Sequence, residues 1–138
     1  MQINKPYALN EQGRRENNED AICPHKNKAD VNSRYFIVCD GMGGHENGEV
    51  ASNTVCDSFA EFLKVVSPDD FDETILERAV NFALDQLDEK DNIADEDSKM
   101  GTTLTFLCLS NTHAIMAHIG DSRIYHLRKN KEDEVSIL

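Results

Sequence analysis

Apolar positions along the chain run first at strand spacing, then at helical spacing, then at strand spacing again. Residues 35–39, YFIVC, form a short apolar run rich in aromatic and β-branched side chains, bounded by polar turn residues, which predicts a buried strand. From Asn47 the spacing becomes helical, with Ala51, Val55, Phe59, Phe62, Leu63 and Val66 on one stripe. Ser67-Pro68-Asp69-Asp70 reads as the start of a second helix, with proline in the first turn and acidic residues at the positive dipole end. That helix is expected to bury Leu76, Ala79, Val80, Ala83 and Leu87. Residues 88–99 are acidic and aperiodic and predict an exposed connection. They match no EF-hand spacing and contain no glycine, so a solvated loop is the better reading than a calcium loop. Gly101 opens an all-β stretch. A nearly continuous apolar strand at 103–109 leads through a turn at 110–112 to a second strand at 113–119. Gly120-Asp121-Ser122 is a tight turn before 123–128, and a last strand begins at 135–138.

Upstream, residues 7–9 are a candidate short strand, and Ala21-Ile22-Cys23 is another apolar run. The polar segment 26–34 separates that run from 35–39, which predicts a hairpin with a loose loop. Such a hairpin brings Glu19 and Asp20 close to Asp40, which follows the central apolar run. Strands, two successive helices and then a meander of strands make the fold class α+β with antiparallel sheet. There are no internal repeats, and 138 residues amount to one domain or part of one.

A net charge of −12 argues against a general nucleic-acid or anionic-membrane binder and is compatible with cation binding. Cys23, Cys39, Cys56 and Cys108 are widely spaced, with no C-x-x-C pair. They read as reduced core residues, neither zinc ligands nor a disulfide framework. No apolar signal segment opens the chain and no stretch is long enough to span a membrane, so the cytoplasm is expected.

Several chemistries are excluded by the residues themselves. The nearest match to a P-loop, Gly43 to Gly48, is followed by Glu49 where lysine is needed. None of the cysteines is followed within a few residues by the arginine of a cysteine phosphatase. There is no G-x-S-x-G elbow. An aspartyl-phosphate enzyme would want a second aspartate two residues after Asp40, where Met42 stands. What remains is a set of carboxylates at turns: Glu19, Asp20, Asp40 and Asp121. Gathering them is costly unless cations compensate, and all-oxygen donors select Mg²⁺ or Mn²⁺ over zinc. Beside Asp40, Gly41, Gly43 and Gly44 would let the backbone turn tightly and approach a ligand.

Four motifs occur in order: Gly13-x-Arg15-x-x-Asn18-Glu19-Asp20; Asp40-Gly41-Met42-Gly43-Gly44 with Gly48-Glu49-x-Ala51-Ser52; Met100-Gly101-Thr102-Thr103; and Gly120-Asp121-Ser122-Arg123. Together they resemble the bacterial form of the metal-dependent type-2C Ser/Thr protein phosphatases, over nearly the whole chain. The resemblance implies an α-β-β-α sandwich, two antiparallel sheets flanked by helices, with a metal cluster at one end. It assigns Asp40 to bridging two Mn²⁺ or Mg²⁺ ions, with Glu19 and the Gly41 carbonyl on one of them. Asp20 would hold that ion's water shell, and Asp121 would serve a third, weaker site. Arg15 would grip the substrate phosphate, a task suited to a planar bidentate donor. Ser52, Thr102 and Thr103 read as packing residues. The implied reaction is hydrolysis of phosphoserine or phosphothreonine on a protein by metal-activated water, without a covalent enzyme intermediate. Signalling by dephosphorylation would be its setting.

Two features depart from that pattern. Where some relatives carry a histidine after Asp-Gly, as a proposed general acid, this chain has Met42; the nearby His45 reads as structural or exposed. Family domains are also substantially longer, and the Asp-Gly and Asp-Asn pairs of their later strands have no counterpart before Leu138. The chain is therefore expected to be the N-terminal part of one such domain, with its sandwich incomplete and prone to self-association. The alternative is a truncated or catalytically disabled domain that binds or regulates a partner.

Overall fold

The computed structural model describes residues 2–42, 47–91, 99–129 and 135–137. In chain order its elements are β1 Asp20–Cys23, β2 Tyr35–Met42, α1 Asn47–Leu63, α2 Glu73–Asp91, β3 Gly101–Thr102, β4 Leu104–Leu109, β5 Ala114–Ile119, β6 Leu127–Lys129 and β7 Val135–Ile137. The α+β expectation holds. β1, β2, β4 and β5 lie side by side in that order, all antiparallel, and β3 continues the pairing along β2. β6 and β7 form a separate antiparallel pair.

Alternation decides which face of the sheet is buried. Ile37, Cys39 and Gly41 of β2 point one way, with Leu104, Phe106 and Cys108 of β4, and all are buried beneath the helices. The apolar stripe of α1 (Ala51, Val55, Phe59 and Leu63) packs against them, and α2 adds Ala79, Ala83 and Leu87 from outside. Phe106 is the centre of this core, with the rings of Phe59 and Phe71 each 5.1 Å away. The Tyr35 hydroxyl donates to the Val66 carbonyl at 3.0 Å and ties the end of α1 to the sheet.

Several boundaries differ from expectation. Residues 7–9 form no strand; Tyr7 is fully exposed, with no neighbouring strand to pair it. Val66 lies beyond the end of α1. Ser67 to Asp70 form a turn, closed by a 3.0 Å bond from the Asp70 N–H to the Ser67 carbonyl, and do not start the second helix. Asp72 does so instead, its carboxylate accepting from the Ile75 N–H at 2.9 Å as an N-cap. α2 then runs to Asp91, absorbing the first part of the expected connection; residues 92–98 lie outside the described residues. The strand expected from residue 123 begins only at Leu127.

The second face of the sheet carries Ile22, Phe36, Val38, Leu107 and Met116, with Asp20 and Asp40 at one end. Val38 and Met116 are 45% and 47% exposed. Among the described residues no layer covers this apolar face, so the sandwich is incomplete here. Large exposed apolar patches promote association. In light scattering the 138-residue chain is expected to self-associate, and Val38→Lys, which charges the middle of the patch, to shift it toward monomer. A monodisperse monomer for the unsubstituted chain would contradict this.

Candidate functional site

The site is assembled at one end of β1 and β2. The hairpin register sets Asp20 directly opposite Asp40, so both carboxylates project from the same, open face. The next pair outward is Glu19 and Gly41, joined by a 3.0 Å bond from the Gly41 N–H to the Glu19 carbonyl. On its other side Asp40 is tied to Thr103, whose N–H donates to the Asp40 carbonyl at 2.9 Å. Its own N–H donates to the Thr103 hydroxyl at 3.0 Å. The Asp40 backbone is thus held by Thr103 on one side, while the adjoining Gly41 N–H ties β2 to Glu19 on the other.

Burial and the neighbouring Asp40 charge raise the Asp20 carboxyl above the ordinary carboxylate range, and the Arg15 guanidinium pulls it back down. Repulsion within the pair is the expected signature of carboxylates gathered with no cation between them. Glu19 is half-buried. It makes a 3.6 Å ion pair with the exposed Arg15, and its carboxyl group lies against Gly48 in the first turn of α1.

The loop before β1 is shaped for this. Gly13, with φ +63°, makes the turn, and the Gln12 side chain donates to the carbonyls of Arg15, at 3.0 Å, and Glu16. Asn18 accepts from the Asp20 N–H at 3.1 Å, while Asn10 donates to the Asp20 carbonyl at 3.1 Å. These asparagines and glutamine were not assigned from the sequence. Asn18 stood in the first motif without a role, and for Asn10 and Gln12 the signal was only the polarity of the segment.

Gly41 differs from its sequence reading. It lies within β2 rather than in a turn, and a Cβ there would sit 1.9 Å from the Gly48 carbonyl oxygen. Its bareness lets α1 approach the strand. Gly43, Gly44 and His45 lie outside the described residues. Met42 ends β2 and is 56% exposed. Thr103 is more than a packing residue, because its buried hydroxyl carries the Asp40 N–H and also contacts Ser122 Oγ at 2.8 Å.

The structure therefore brings together Arg15, Glu19, Asp20, Asp40 and Gly41. Asp121 is exposed in the turn after β5, and among the described residues no hydrogen bond or ion pair joins it to the others. Nor do the described residues hold a group of three or more His, Cys, Asp or Glu side chains placed to bind a metal ion. The donor chemistry still fits a hard divalent cation. The opposed, mutually repelling Asp20 and Asp40 and the adjacent Glu19 offer oxygen alone.

The profile of the family described as Protein phosphatase 2C matches residues 7–136. The chain belongs to the protein phosphatase 2C family. It is 42% identical over 117 residues to a 2C-type phosphatase-family protein of Streptococcus pyogenes, covering 80% of this chain and 45% of that one. With the protein phosphatase PhpP of Streptococcus pneumoniae the identity is 36% over 120 residues, covering 83% and 46%. The solved catalytic domain of the phosphatase PstP, in complex with two manganese ions, matches with a TM-score of 0.71. There the identity is 30%, over all of this chain and 52% of that one. The Staphylococcus aureus phosphatase Stp1 gives 0.70 at 25% identity, over 99% and 50%. This 2C-family chain thus spans about half the length of these relatives. The family is metal-dependent. No helix among the described residues is long and apolar enough to cross a membrane.

Proposed function

We propose that residues 1–138 are the N-terminal part of the catalytic domain of a protein Ser/Thr phosphatase that hydrolyses phosphoserine and phosphothreonine on proteins in the cytoplasm. The observation that carries this reading is the opposition of Asp20 and Asp40 on one sheet face, beside Glu19, in a chain with this family membership. Glu19, Asp20, Asp40 and the Gly41 carbonyl would hold two or more Mn²⁺ or Mg²⁺ ions, and Asp121 a further one. When bound, such ions lower the pKa of water and stabilise charge on a phosphoryl group. The part of the chain's own residues is to bind and orient. Arg15, exposed and lightly held by Glu19, is free to turn its planar donor pair to a phosphate. Asp40, whose backbone N–H and carbonyl are both held by Thr103, presents its carboxylate from a fixed main chain.

Arg15 supplies the test. In the full-length protein Arg15→Ala is expected to act mainly on KM and to lower kcat/KM for a phosphothreonine peptide by roughly 2–4 kcal/mol of transition-state stabilisation. Arg14→Ala, one residue outside the motif position, should change little. Equal losses from the two variants would contradict the assignment.

A disabled domain serving as a binding or regulatory module is the second reading, favoured by Met42, which stands where some relatives carry a histidine as the proposed general acid. It predicts that the full-length protein binds phosphopeptide or partner without Mn²⁺-dependent phosphate release. The 138 residues alone are expected to release little phosphate under either reading.

A further inference from the structure

One stretch of the sheet breaks its own ladder. Along β2 and β3–β4, Val38 pairs with Thr105 and Gly41 with Thr102, a register that sets Asp40 opposite Thr103. An antiparallel pair that exchanges the Thr103 N–H to Asp40 carbonyl bond should return an Asp40 N–H to Thr103 carbonyl bond. It does not. The Asp40 N–H goes to the Thr103 hydroxyl at 3.0 Å, and the Thr103 carbonyl accepts from the Thr102 hydroxyl at 3.0 Å. A side chain has taken the place of a main-chain acceptor at the residue before Gly41.

The substitution gives the hydroxyl a second partner. Thr103 Oγ1 lies 2.8 Å from Ser122 Oγ, in the turn that contains Asp121. The rest of Thr103 faces Gly120, where a Cβ would stand 2.8 Å from the Thr103 methyl; Gly120 has φ +96°. Thr103 is 2% exposed, so both contacts are shielded from water. Removing the hydroxyl would leave a main-chain donor unsatisfied in a closed space.

We infer that Thr103 is a positioning residue, its buried hydroxyl locking the Asp40 end of β2 to Ser122 and hence to the Asp121 turn. This rests on the proposed reading of Asp40 and Asp121 as metal-holding residues, because their relative placement is what the link fixes. The two carboxylates lie far apart in sequence, and the Thr103 and Ser122 hydroxyls connect the Asp40 backbone to the residue after Asp121 through two hydrogen bonds. Outer-shell partners of this kind typically change metal affinity by about 10–100-fold when removed.

The test uses Thr103→Val, Thr103→Ser and Ser122→Ala in the 138-residue chain, with two readouts. Amide hydrogen exchange without metal reads the link itself. Thr103→Val should speed exchange at Asp40 and Ser122 together by about tenfold or more, while Val38 stays protected. Thr103→Ser, which keeps the hydroxyl, should restore both. Ser122→Ala should speed the 120–122 turn and spare Asp40. The second readout is the Mn²⁺ concentration giving half-maximal thermal stabilisation. It should rise about tenfold for Thr103→Val and stay within about twofold for Thr103→Ser. Unchanged exchange at Asp40 in Thr103→Val, or Thr103→Ser as impaired as Thr103→Val, would overturn the positioning role. If Thr103→Val does not fold, Thr103→Ser and Ser122→Ala decide the same question. A wild-type chain with no Mn²⁺ response, but with the exchange pattern intact, would overturn the metal reading and leave the hydroxyl link standing.

Discussion

Gly41→Ala is expected to destabilise the chain by about 3 kcal/mol or more, at the upper end of the overpacking range, or to prevent folding altogether. The reason is local. The added methyl would fall 1.9 Å from the Gly48 carbonyl oxygen and 2.9 Å from the Glu19 carbonyl oxygen, both main-chain atoms that no rotamer change can move. Relief requires α1 to lift from β2, which opens contacts made by Ala51 and Val55 further along the helix. Gly101→Ala is the control. Its nearest neighbour, the Met42 side chain, lies at 3.6 Å, an ordinary contact, and its backbone dihedrals need no glycine. Urea denaturation of both variants checks the expectation. If Gly41→Ala lost no more stability than Gly101→Ala, the close approach of α1 to β2 would be wrong.

Asp40→Asn should separate stability from metal binding. In millimolar Mn²⁺ the unsubstituted chain is expected to gain about 2.7 kcal/mol of stability if the ion is present at 100 times its Kd. The Asn variant should gain almost none. Without metal the order reverses, because the substitution keeps the side-chain shape while removing one charge from a repelling pair. The pH dependence follows from Asp20, whose folded-state pKa is raised above its ordinary value of 3.8. A raised folded value means the folded chain holds the proton more tightly than the unfolded one. That stability is present below the ordinary carboxylate pKa and is lost as pH rises through the raised value. The metal-free advantage of Asp40→Asn should therefore be visible at neutral pH and shrink near pH 3, below the raised Asp20 value, where Asp20 carries its proton and no longer repels. Thermal melts with and without Mn²⁺, at both pH values, decide it. Equal Mn²⁺ stabilisation of the two chains would remove Asp40 from the proposed cluster, and metal-free unfolding of Asp40→Asn would make it a structural residue.

The sequence alone determined the element types of the central region and the pairing of the first hairpin. Helical apolar period marks the buried residues Ala51, Val55, Phe59 and Leu63 of α1 and Ala79, Ala83 and Leu87 of α2. The unbroken apolar run of β2, by contrast, does not show which of its faces is covered, and Val38 is 45% exposed. The hairpin was legible because two apolar runs flank a polar loop, and pairing them necessarily brings residues 19–20 near residue 40. The four short motifs carried the family because the residue types and their order survive without knowledge of packing.

Tertiary structure decided what depends on neighbours distant in the chain. The second helix starts at Asp72 rather than Ser67 because a cap is defined by the hydrogen bond it makes, and both segments have capping composition. Gly41 proved to be a contact surface for α1, which no local pattern can announce, because the atom it excludes belongs to Gly48. Thr103 could be read from sequence only as a small buried residue. Its hydroxyl acquires a role because sheet register sets it against Asp40 and the turn after β5 brings Ser122 to its other side. Residue identity fixes which groups can bond; only the fold fixes which of them meet.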